Sequence, residues 1–214
     1  MTITIREPGS ALTHLAAMLA ALIAAIPLLI RASAASATAL ASMTVFIISM
    51  VLLYGASTTY HSVNVSKRTL RVFKSLDHAM IFVLIAGSYT PVCLLILPIE
   101  KGYLLLTVIW MIAVIGIAIK MFWIYCPKWF SSVLYIAMGW VCITVVSDLY
   151  HTLSKASFLW LLTGGIIYTI GGVIYALKLP LFNARHKYFG SHEIFHCFVM
   201  GGSLCHFIFH LSIL

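Results

Sequence analysis

Three short stretches of this sequence carry side chains able to do chemistry. His192-Glu-Ile-Phe-His196 sets two imidazoles four residues apart, a spacing that puts both on one face of a helix. Ser57-Thr-Thr-Tyr-His61 repeats that spacing with a hydroxyl and an imidazole, and Leu76-Asp77-His78 adds a carboxylate. His192 and His196 are suited to pinch one metal ion. Three neutral imidazoles and a water make the open tetrahedral site of a catalytic zinc, which lowers the pKa of the bound water towards ~7. Asp77 is the carboxylate that would hold this water or take its proton. The Ser57 hydroxyl would donate to a developing oxyanion.

These residues must be positioned by elements of an unusual kind. Of 214 residues, 63% are hydrophobic and 8% charged, against roughly 25% charged in an ordinary soluble domain. So few charges cannot cover a water-facing surface, whereas helices that satisfy their own backbone can sit in lipid. Seven apolar runs are long enough to span a bilayer: 11–30, 39–60, 77–97, 103–123, 131–150, 158–177 and 192–214. The expected fold is all-α: a polytopic seven-transmembrane-helix bundle forming one domain over 1–214. Pro27, Pro91, Pro98, Pro127 and Pro180 fall mostly near run ends, where helices stop or bend. Gly164, Gly165, Gly171, Gly172, Gly201 and Gly202 read as small residues for close helix packing. The run after Arg6 is followed by Arg31 without the usual small-residue cleavage site, so it reads as a retained helix. Cys93, Cys126, Cys142, Cys197 and Cys205 form no CxxC pair and read as packing residues.

Basic residues set the expected orientation. Arg6, Lys67, Arg68, Arg71, Lys74, Lys120, Lys128, Lys178, Arg185 and Lys187 fall on the side of the amino terminus. Arg31, Lys101 and Lys155 fall on the other. The positive-inside rule then predicts a cytoplasmic amino terminus and an external carboxyl terminus in a bacterial plasma membrane. The formal charge of +8 is accounted for by these loops, and no nucleic-acid partner is expected. Membrane lipids are the expected partners, and self-association into a homo-oligomer stays open. In this topology the end of the second helix and the starts of the third and seventh converge at the cytoplasmic end of the bundle. Ionisable groups there mark function by default.

The stretch from Ser57 to Pro91, with STTYH and LDHAMIFVLIAGSYTP, resembles the hemolysin-III family, the bacterial branch of the progestin and adipoQ receptor family. AMGW at 137–140 and HEIFHCFVMGGSLCHF at 192–207 carry the same resemblance. It covers nearly the whole chain. It implies a seven-helix fold with a cytoplasmic amino terminus and a zinc ion on three histidines, which map to His61, His192 and His196. The family's aspartate maps to Asp77 and its serine to Ser57. Alkaline ceramidases are similar in this arrangement, and adiponectin receptors have been linked to ceramide hydrolysis. One departure stands out. Relatives carry an asparagine four residues before the histidine that maps to His14, where this chain has Ser10, with Glu7 upstream.

The expected function is that of a zinc-dependent hydrolase of a membrane lipid amide or ester, with ceramidase-like chemistry. Two other classes compete with it: a membrane-homeostasis sensor with a structural zinc, and a pore-forming cytolysin. A cytolysin should be secreted or convertible from a soluble form, and neither is visible here. HEIFH is also a literal HExxH, in which Glu193 would be the base of an intramembrane protease. The surrounding motifs favour Asp77 as the working carboxylate. A second HxxxH, His206 and His210, reads as interfacial polar groups and helix-end partners, and His14, His78, His151 and His186 read likewise.

Overall fold

The computed structural model describes residues 5–177 and 189–214. Lys178, Pro180, Arg185, His186 and Lys187 lie outside the described residues. The helices are α1 (Pro8–Ala35), α2 (Ala37–Ser62), α3 (Lys67–Leu95), α4 (Ile99–Phe122), α5 (Lys128–Gly139), α6 (Val146–Thr152), α7 (Lys155–Leu177) and α8 (Ser191–Ser212). A 3-10 segment, Trp140–Val145, joins α5 to α6 into one span. Among the described residues, seven helical runs are long and apolar enough to cross a membrane, as the apolar runs predict.

Lipid-facing chemistry shows on the outside. Leu19, Ile23 and Ile26 of α1 and Met111, Val114 and Ile115 of α4 are exposed, which water would not tolerate over so wide an area. One half of the core packs Leu28, Met43, Phe46, Tyr54 and Val199 from α1, α2 and α8. The other packs Phe82, Ile109, Met138, Leu149 and Phe209. Serine caps the starts of three helices. The Ser36 side chain accepts from Ala39 N at 3.0 Å, and Ser66 and Ser154 cap α3 and α7 in the same way. α7 and α8 approach closely at glycines: a Cβ on Gly202 would lie 2.7 Å from the Tyr168 ring, and one on Gly171 2.7 Å from the Phe198 Cβ.

Three departures from the sequence reading have physical causes. First, α3 starts at Lys67, ten residues before the expected Asp77. Lys67, Arg68, Arg71 and Lys74 keep helical spacing past the end of the apolar run, so Asp77 sits about 15 Å into the helix at roughly 1.5 Å per residue. Second, Pro27 and Pro91 lie inside helices, which membrane helices tolerate when neighbours satisfy the freed backbone. Third, the fifth span is broken. The Tyr89 hydroxyl donates to Gly139 O at 2.6 Å and accepts from Cys142 N at 2.8 Å. It supplies at the break the partners that helix geometry no longer provides.

α8 packs against both α1 and α7, and α2 against both α1 and α3. The first and last spans therefore meet, which brings the start of α1, the end of α2 and the start of α8 to one end of the bundle.

Candidate metal centre

At that end three imidazoles converge. One ligand atom each from His61, His192 and His196 lies within 4.8 Å of the other two. His61 Nε2 and His192 Nε2 are 3.2 Å apart. Two nitrogens bound to one tetrahedral zinc at bonds of about 2.0–2.1 Å would be separated by about 3.3 Å. The cluster could hold one metal ion. His61 and His196 are buried.

The amino-terminal residues hold these rings. Glu7 N donates to His61 O at 3.0 Å, which lays the chain before α1 along the end of α2. From there the Glu7 carboxylate pairs with His61 Nδ1. This leaves Nε2 as the free nitrogen of that ring. One and a half turns on, Thr13 Oγ1 lies 3.1 Å from His196 Nδ1, and its neighbour His14 stacks on the His196 ring with centroids 3.6 Å apart and planes 8° from parallel. A partner on the non-ligating nitrogen is the usual means of fixing a metal-binding imidazole. The Glu7 carboxyl is held below the ordinary carboxylate range, chiefly by its hydrogen bond with His61. Partial burial opposes this, and the charges of His61, Arg6 and His192 reinforce it.

Asp77 and Ser57 lie near the histidines. Both are buried. Yet Ser57 Oγ makes no directed hydrogen bond. His14, Asp77, His192 and His196 line the head of one cavity of about 200 Å³. The cavity runs on between apolar residues of α3, α5, α7 and α8, including Ile85, Ile143 and Leu161, as far as Val92, Leu149 and His206.

The sequence profile of the family described as Haemolysin-III related matches residues 3–207. The chain belongs to that family. It is similar to the hemolysin-3 homolog of Bacillus subtilis, 39% identical over 206 residues, covering 95% of this chain and 92% of that one. It is equally similar to hemolysin-3 of Bacillus cereus, 39% identical over 199 residues and 86% of that chain. An adiponectin receptor protein of Drosophila melanogaster is 23% identical over 185 residues, 76% of this chain and 40% of that one.

Several residues of this haemolysin-III-related centre escape a sequence reading. Glu7 and Thr13 touch the ligand rings from a helix that bears no ligand. The one trace of this in the sequence is polar Glu7, Ser10 and Thr13 at the head of an apolar run. His14 is a wall of the centre instead of an isolated polar group. Glu193 accepts from Ser10 Oγ and from Gly190 N at 2.8 Å, so it caps α8, and it does not line the cavity. Ser10 thus ties α1 to α8. His206 and His210 face the interior of the bundle, where their ring nitrogens are buried and make no directed hydrogen bond. Asp148, at that end, pairs with exposed Lys101 at 2.8 Å.

Proposed function

We propose that this protein hydrolyses an amide or ester bond of a membrane-resident lipid, at a zinc ion held by His61, His192 and His196. The observation that carries the reading is that two of the three clustered histidines, His192 and His196, line the head of an apolar cavity together with Asp77. Zinc bound there would polarise a carbonyl and acidify a water. The remaining work falls to the chain itself. Glu7 and Thr13 hold the His61 and His196 rings in one orientation. Asp77 accepts the proton of the attacking water and returns it to the leaving nitrogen or oxygen as the carbonyl–heteroatom bond breaks. Ser57, one turn before His61, is the donor to the oxyanion as it forms. The apolar walls take the hydrocarbon chain and keep bulk water from the reacting carbonyl.

The excess of basic residues at the amino-terminal end supports a cytoplasmic location for the centre, within reach of the inner leaflet of a bacterial plasma membrane. Metal analysis of purified protein tests the ligand set. His61→Ala, His192→Ala and His196→Ala each deplete zinc, while His210→Ala does not. Wild-type zinc content in a protein lacking all three ligands would end the proposal.

A further inference from the structure

His206 is the polar side chain at the far end of the cavity that no group among the described residues satisfies. The other polar groups lining this stretch are engaged. Ser88 Oγ donates to Leu84 O at 2.8 Å, and the Tyr89 hydroxyl is bound to Gly139 and Cys142. The Tyr168 hydroxyl shares Ser203 Oγ with Tyr54, at 2.8 and 2.6 Å. Thr169 Oγ1 donates to Gly165 O at 2.7 Å. His206 lines the same cavity, and neither of its ring nitrogens has a hydrogen-bond partner.

The surroundings hold this ring in place. A Cβ on Gly164 would collide with its Cδ2–Nε2 edge, so that glycine makes room for the imidazole. Tyr168, fixed through Ser203, flanks it with ring centroids 5.4 Å apart. A neutral imidazole offers one donor and one acceptor. Buried polar groups are as a rule hydrogen-bonded, so this ring lacks a partner that the contents of the cavity can supply.

We infer that His206 recognises a hydroxyl or carbonyl group carried part-way along the hydrocarbon chain of the lipid, which makes the preferred ligand a mid-chain oxygenated acyl chain. This rests on the reading of the cavity as an acyl-chain site. His206 lies ten residues beyond His196 on α8, a rise of about 15 Å at roughly 1.5 Å per residue. The oxygenated carbon therefore sits far down the chain from the group held at the histidine cluster, and oxygen next to the head group does not reach it. His210, one turn further, is also unpartnered but does not line the cavity.

Three probes test this on purified full-length, zinc-loaded protein in detergent: octadecanoic acid, the same acid hydroxylated at mid-chain, and the same acid hydroxylated beside the carboxyl. The wild type binds the mid-chain hydroxy acid about three- to tenfold more tightly than the other two, the worth of one added hydrogen bond. His206→Leu retains zinc and octadecanoic acid binding and loses the preference. His206→Gln, which keeps a donor and an acceptor, restores part of it, and His210→Leu leaves it unchanged. Absence of a mid-chain preference in the wild type overturns the inference without any variant, as does a preference that survives in His206→Leu. If octadecanoic acid binds normally in either case, the acyl-chain reading stands and only the role of His206 falls. If none of the acids binds the wild type, both fall together.

Discussion

Glu7, just before α1, pairs with His61 Nδ1 at the end of α2, on the far side of the ring from the nitrogen that faces His192. The contact is charge-assisted and orients a ligand without touching the metal position. Glu7→Ala lowers zinc affinity by about 10- to 100-fold, the usual effect of removing such a partner, and Glu7→Gln recovers part of the loss. Competition with a metal chelator measures both.

The same contact has a pH signature. The folded-state pKa of Glu7 is depressed below its ordinary value of 4.5. The stabilisation is therefore present above about 4.5 and is lost as pH falls through the lower folded value. The difference in thermal stability between metal-free wild type and Glu7→Gln shrinks as the pH is lowered below 4.5. A difference that grows on acidification would mean that the Glu7 carboxylate does not stabilise the fold.

Thr13 acts on His196 as Glu7 does on His61, but through a neutral hydroxyl at 3.1 Å. Thr13→Val, which keeps the shape and removes the hydrogen bond, weakens zinc binding by about tenfold, at the lower end of the range for such partners. Chelator competition again reads it, and unchanged affinity would leave the stacked His14 ring as the support of His196.

The broken fifth span makes a prediction independent of the metal. Tyr89→Phe strands Cys142 N at the 3-10 segment and leaves Gly139 O with the weak Cys142 Sγ donor at 3.5 Å. The cost is about 1–3 kcal/mol for buried groups left unpaired, read as a lower unfolding temperature with zinc content unchanged. A variant as stable as wild type would show that other groups satisfy the break.

The legible parts of the molecule were those set by composition and periodicity. Apolar runs near the length of a bilayer reveal spans, and HxxxH reveals a shared helical face, so the seven helices and the pairing of His192 with His196 can be read directly. The start of α3 could not be read the same way, because charge ends an apolar run without ending a helix. Glu7 and Thr13 were hidden for another reason. Their partners are some 50 to 180 residues away in sequence, and only the meeting of α1 with α2 and α8 brings them together. The place of His206 is hidden for a third reason: sequence gives its position along the last span but not that its ring turns into the cavity between the helices.

The chemical role of Asp77 separates a working centre from a structural one. Asp77 lies buried beside the histidines and lines the cavity, yet it is not needed to complete the three-histidine ligand set. The decisive measurement is lipid amide or ester hydrolysis by purified, zinc-loaded Asp77→Asn beside wild type, with metal content determined on the same samples. The account predicts full zinc occupancy in the variant and a turnover lower by a factor of about 10²–10⁴, the usual worth of a positioned general acid–base. Turnover at the wild-type rate with zinc in place would contradict it and leave the metal with a structural role in a membrane sensor.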